Sequence, residues 1–144
     1  MNAASQLVQR KSLAGFRLRK HADFVRAYAA ARKRQSASMS WFLAPQNLHA
    51  AAPSPARVGL TVSKVLGKAH ERNRIRRRMR EALRRHVDLL PAGFDLILHP
   101  RRSVLALEFS QLDAEIVRIL EQAAADASRA ATQLARPAVP SPAS

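Results

Sequence analysis

The sequence predicts an α+β fold: a compact two-layer sandwich in which helices cover a small mixed sheet. Three observations predict it. Two stretches alternate apolar and polar residues with the period of a strand, and a third is a short, nearly continuous apolar run. Three longer stretches repeat apolar residues at helical spacing. Their order is helix, strand, strand, helix, strand, helix, without the regular alternation of a parallel α/β sheet. At 144 residues and 47% hydrophobic, the chain suffices for one such domain with one core.

Residues 21–32 read as a helix, with Phe24, Tyr28 and Ala31 at i, i+4 and i+7. Residues 39–43 read as a strand, with Met39, Trp41 and Leu43 on one side and Ser40 and Phe42 on the other. Residues 57–63 alternate likewise, through Val58, Leu60 and Val62. Residues 68–90 form a long helix with Ile75, Met79, Ala82, Leu83, His86 and Val87 along one face. The apolar run 94–98 suits a central strand buried on both sides. Residues 110–125 form a last helix, with Ser110 as N-cap, Asp113 three residues on, and a stripe of Leu112, Ile116, Ile119, Leu120 and Ala123. Residues 1–15 lack periodicity and read as a mobile segment. Residues 128–144 are rich in Ala, Pro and Ser and read as a disordered tail. The domain is therefore expected to span 16–127. Residues 50–56 carry two prolines and read as an extended connection.

Charge is the outlying property. The net charge is +15, and 20 of the 25 Lys and Arg fall in residues 1–85 against 3 of the 10 Asp and Glu. Such a balance attracts polyanions. The absence of cysteine excludes disulfides, Cys-ligated zinc and thiol nucleophiles. No run approaches the ~20 apolar residues of a membrane span, and the N-terminus lacks the apolar core of a signal peptide. A soluble cytoplasmic protein, without a membrane partner, is expected.

Nine of the nineteen residues in 68–86 are Lys or Arg. With Ile75 at zero and 100° per residue, Asn73, Arg77, Arg80 and Arg84 fall at roughly 140–200°, opposite the core stripe. Arg72 and Arg76 flank the stripe on one side, and Arg74 and Arg85 lie on another. A solvated helix face usually mixes signs. Here only Glu71 and Glu81 offset the arginines, and like charges at i, i+3 and i+4 repel. A polyanion relieves that repulsion, and guanidinium suits phosphate and bases better than ammonium does. No second helix joined by a short turn and no zipper accompanies the basic helix, so the composition leans to RNA over DNA.

The stretch RVGLTVSKVLGKAHERNRIRRRMREALR, from Arg57, resembles the signature of the bacterial ribonuclease P protein family. Val62, Ser63 and Lys64 match its strand end, Gly67 its loop, and Arg72, Asn73, Arg74, Arg76, Arg77, Arg80 and Glu81 its helix. The earlier RLRKHADF, ending at Phe24, also resembles the family's opening, so the likeness covers roughly residues 16–125. Val65 departs from the pattern, where a second Lys is usual, and so does His70, where an apolar residue is usual. The resemblance implies that the arginine helix joins two parallel strands by a left-handed crossover, against the general right-handed preference.

It further implies a subunit of an endoribonuclease that removes the 5′ leader of precursor tRNA. The catalytic centre would belong to a large partner, the ribonuclease P RNA, with magnesium ions held through that RNA and none by the protein alone. No further protein partner is required. RNA-binding residues would be Lys64, Lys68, Arg72, Asn73, Arg74, Arg76, Arg77, Arg80 and Arg84. A leader-binding cleft would use Phe24, Tyr28 and Phe42, with Arg17, Arg19 and Lys20 adding phosphate contacts.

No catalytic site of the chain's own is expected. His21, His49, His70, His86 and His99 show no paired spacing for acid–base work, and the basic region has only Asp23, Glu71 and Glu81 as carboxylates. Ser63 and Lys64 are adjacent, so on a strand they point to opposite faces. No metal ligands stand out. The alternative is a non-catalytic RNA-binding protein, such as a ribosomal protein or an RNA chaperone. That accounts for the charge but less well for the motif.

Overall fold

The structure is a computed structural model and describes residues 16–46 and 55–135. The expected mobile segment 1–15, residues 50–54 of the connection and residues 136–144 of the expected tail lie outside the described residues.

Four strands form one mixed sheet in the order β1-β2-β4-β3. Strands β1 (Arg32–Gln35) and β2 (Met39–Pro45) pair antiparallel, and β2 pairs antiparallel with β4 (Phe94–Pro100). Strand β3 (Arg57–Leu60) pairs parallel with β4, with Val58 opposite Leu96 and Leu60 opposite Leu98. Helix α2 (Ala69–His86), the arginine helix, makes the crossover between those parallel strands. Leu96, Ile97 and Leu98 are fully buried, as a central strand with partners on both edges requires.

The pleat divides the side chains into two sets. On one face Met39, Trp41, Leu43, Val58, Leu96 and Leu98 meet Ile75, Met79, Ala82 and Leu83 of α2. Leu112, Ile116, Leu120 and Ala123 of α3 (Phe109–Ala135) complete that core. The expected stripes of both helices are thus the ones buried, except that His86 stays half-buried and bonds Asp113 at 2.9 Å. On the other face, Phe42, Ala44 and Ile97 pack with Leu18 and with Phe24 and Ala27 of α1 (His21–Ala30). The sheet and the α2–α3 pair make the two layers, and the short α1 covers part of the opposite face.

Several boundaries differ from the sequence reading. Helix 21–32 ends at Ala30, because Ala31 is extended, and residues from Arg32 form a strand that the sequence did not suggest. Strand 57–63 ends at Leu60; Thr61 still donates to the Leu98 carbonyl at 3.0 Å before the chain turns away. Strands 39–43 and 94–98 extend to Pro45 and Pro100. The long helix stops at His86 and passes into a 3-10 turn at Val87–Leu89. Helix α3 starts before Ser110, so Ser110 is not its cap; the Gln111 side chain accepts from the Glu108 N–H at 3.1 Å instead. It continues past Ser128 to Ala135, since the first proline of the tail is Pro137 and only prolines bar the helix. The expected domain boundary at 127 therefore falls inside a helix. Asp126 holds that helix to the sheet by a two-bonded pair with Arg34, at 2.6 and 3.0 Å.

Candidate RNA interface

The entrance to α2 is tied down by side chains. Ser63 Oγ accepts from the Val65 N–H at 3.3 Å in the turn Lys64–Leu66. Gly67 follows at φ 146, a conformation that side chains with a Cβ rarely adopt. Glu71 then accepts from the Lys68 N–H at 2.9 Å, which satisfies one free donor of the helix start. Arg102 donates to the Leu66 carbonyl at 2.7 Å and also to Glu71. The Arg102 hydrogen bond, then the Lys68 N–H, lowers the Glu71 carboxyl to about 2. With the backbone held in this way, Lys64 and Lys68 stand exposed at the mouth of the helix.

Along α2, Asn73, Arg74, Arg77 and Arg80 are exposed, while Arg72, Arg76 and Arg84 are half-buried. Arg72 Nε donates to the Gly67 carbonyl at 3.2 Å, and Arg76 donates to Asn73 Oδ1 at 2.8 Å. Both acids of the helix are engaged, Glu71 by Arg102 and Glu81 by Arg84 at 2.7 Å. Arg78, which turns toward α3, donates to the Leu107 carbonyl and is part of the packing. The nine residues expected to bind RNA thus all lie on α2 or its entrance turn, spread around the part of the helix that does not face the sheet.

The six residues expected in the leader cleft do not stay together. Tyr28 and Phe42 do: their rings are 5.2 Å apart, edge to face. Phe24 is 6.4 Å from Tyr28 and half-buried, and it fills the space over Gly59; a Cβ there would stand 2.7 Å from Phe24 Cε1. Phe24 is accordingly a packing residue of this face. Arg19 and Lys20 are exposed just before α1, about two turns of that helix from Tyr28. Arg17 departs furthest. It bridges Val58 on the free edge of β3, and it lines a cavity with Arg76 and Arg80 on the α2 side of the sheet edge.

Two residues join the cleft that sequence reasoning missed. His99 Nε2 lies 2.6 Å from Tyr28 Oη, with its ring 5.0 Å from that of Phe42. Lys33 Nζ sits 5.9 Å from the Phe42 ring centroid, directly opposite it in the β1–β2 register. Burial, then the Lys33 charge, keeps the His99 imidazole below its ordinary value. The signal for Lys33 lay in pairing register, which needs β1 to be known. Among the described residues, no group of three or more His, Asp or Glu side chains is arranged to hold a metal ion, and no helix is long and apolar enough to cross a membrane.

The family model described as Ribonuclease P matches residues 14–124. The chain belongs to the ribonuclease P protein family. It is 40% identical over 108 residues to the ribonuclease P protein component of Chloroflexus aggregans, covering 74% of this chain and 76% of that one. Identity to the component of Thermobifida fusca is 36% over 104 residues, covering 69% and 70%. The fold matches the ribonuclease P protein of Staphylococcus aureus at a TM-score of 0.62 and 27% identity, over 75% of this chain and 94% of that one. It also matches that of Thermotoga maritima at a TM-score of 0.63 and 24% identity, over 74% and 96%. As a ribonuclease P protein the chain is a subunit of a tRNA-processing ribonucleoprotein, and the ribonuclease P RNA is its partner.

Proposed function

We propose that the chain grips the ribonuclease P RNA through α2 and holds the 5′ leader of precursor tRNA against the aromatic face of the sheet. The catalytic centre would then lie in the RNA, with the magnesium ions of the reaction held there. Arginines dominate the surface of α2, and guanidinium groups fit phosphate and not a metal ion. The observation that carries this reading is a division of the molecule. A guanidinium surface, whose two carboxylates are already engaged, lies on one side of the sheet. A half-open cluster of Tyr28, Phe42 and His99, with Lys33 beside it, lies on the other. Structured RNA matches the first through its backbone phosphates. A single strand of any sequence matches the second, because every base offers a face for stacking on an aromatic ring. Processing of tRNA would place the chain in the cytoplasm.

The test is cleavage of a precursor tRNA by the cognate ribonuclease P RNA at low magnesium, with and without the chain. Restored cleavage at the mature 5′ end is the expected result. Tight RNA binding without restored cleavage would replace this reading with that of an RNA chaperone.

A further inference from the structure

Strand β1 is the one strand of the sheet without an apolar residue, and a carboxylate of α3 clasps it. The pairing register sets Arg34 opposite Trp41 and Lys33 opposite Phe42. Trp41 belongs to the core beneath α2 and α3, whereas Phe42 lies on the aromatic face. Successive side chains of a strand point to opposite faces. Arg34 therefore reaches toward α3, and Lys33 reaches toward the leader side.

On the α3 side the anchor is complete. Asp126 accepts two bonds from the Arg34 guanidinium, at 2.6 and 3.0 Å, one from Gln122 at 3.0 Å and one from Arg129. Burial raises the Asp126 carboxyl, but these bonds outweigh it and leave the group below its ordinary value, so it stays charged. On the leader side nothing comparable holds Lys33. It meets no carboxylate among the described residues, and its Nζ stands 5.9 Å from the Phe42 ring centroid. The backbone of β1 pairs with β2 along one edge only. Arg101 and Glu115 hold the turn that follows, which leaves Arg34 as the side-chain anchor of the first three residues of the strand. An edge strand with so few contacts opens readily. The place of Lys33 thus depends on β1, and that of β1 on the pair behind it.

We propose that Asp126 is a positioning residue for the leader cleft: by clasping Arg34 it fixes β1, and so holds the Lys33 ammonium beside Phe42 to meet a phosphate of the single-stranded leader. The proposal rests on the reading of the aromatic face as the leader cleft. A cation held in place before binding loses less freedom when the strand arrives, and that saving adds to affinity. The family model ends at residue 124, so the clasp ties a strand within the match to a helical turn just beyond it.

The test uses the full chain assembled with the cognate ribonuclease P RNA, in buffer where urea titration shows each variant folded. Affinities for precursor and mature tRNA are compared for Asp126→Asn, Lys33→Ala and the double variant. Each single variant should lower the precursor-over-mature ratio about two- to fivefold, the size of an exposed ion pair. The double variant should lose no more than Lys33→Ala alone, because Asp126 acts through Lys33. Arg34→Gln breaks the clasp from the strand side and should match Asp126→Asn; it also decides the matter if Asp126→Asn fails to fold. Additive losses, equal losses for both tRNAs or an unchanged ratio overturn the proposal. A second measurement needs no RNA. The Lys33 charge helps to lower the His99 imidazole, so Lys33→Ala and Asp126→Asn should both raise the His99 titration midpoint seen by NMR. A midpoint that moves in Lys33→Ala but not in Asp126→Asn shows Lys33 in place without the clasp, and overturns the positioning. Tyr28→Ala separates the two readings. If it lowers the ratio and Asp126→Asn does not, the proposal alone falls; if neither lowers it, the cleft reading falls and the proposal with it.

Discussion

Tyr28 and His99 meet at 2.6 Å across the sheet face, from positions 71 residues apart, and Thr61 Oγ1 stands 3.4 Å from the same phenol. His99 is thus the group that fixes how the Tyr28 ring stands.

That contact predicts a pH effect. Burial and Lys33 hold the His99 imidazole below its ordinary 6.5, so it is neutral near pH 7 in the free chain. Because the charged form is disfavoured in the fold, His99's contribution to stability is full above 6.5 and is lost as the pH falls through the lowered value. A leader phosphate held close by would favour the charged imidazole, so leader binding would take up a proton. The ratio of affinities for precursor over mature tRNA should therefore rise as the pH falls toward the lowered value of the free His99. His99→Asn should flatten that rise; an unaltered profile would place the proton uptake elsewhere.

Tyr28 is 38% exposed, with its ring edge braced by Phe42. Tyr28→Ala should weaken precursor tRNA binding by about 1–3 kcal/mol and leave mature tRNA unchanged. Tyr28→Phe keeps the ring and removes the bond to His99, so a smaller loss there measures the orienting part. Equal losses for both tRNAs would make Tyr28 structural.

Arg77 is exposed on the outward face of α2 and meets no carboxylate among the described residues. Arg77→Ala should reduce the salt slope of RNA binding by about 0.7–0.9 without changing urea stability. A preserved slope with reduced stability would assign Arg77 to folding.

Gly59 lies beneath Phe24, and an added Cβ would stand 2.7 Å from the ring. Gly59→Ala should destabilise the chain by about 1–3 kcal/mol, as overpacking does. Phe24→Leu in the same chain should recover part of that loss, read from the urea midpoint. Additive losses would show that the two sites do not meet.

The parts of the fold that were legible are those whose burial follows a local period. Ile75, Met79, Ala82 and Leu83 recur at helical spacing because one side of α2 lies on the sheet, and the arginines necessarily take the other. Strand β1 was not legible. Arg-Lys-Arg-Gln contains no apolar residue, and it is a strand only because β2 lends it partners. Its omission hid Lys33 and extended α1 by two residues. Nothing in the local sequence marks His99, because its partner is a tyrosine 71 residues away on α1. Arg17 is a near neighbour of Arg19 and Lys20 in sequence, but the bridge to Val58 carries it to the edge of β3, away from the cleft.

The carboxylates of α3 lead to a different kind of consequence. Asp126 is bound by Arg34, Asp113 by His86, and Glu115 accepts the Ser38 N–H at 2.9 Å. Three of the four acids of α3 thereby serve as clasps within the molecule, while most of the Lys and Arg lie in residues 1–85. A body charged in this lopsided way feels a torque in the field of a polyanion before any atoms touch. With α2 as the RNA grip, such a body would turn its arginine helix forward while still diffusing, so that productive collisions with the RNA would outnumber those of chance orientation, an advantage that would fade as salt shortens the reach of the field.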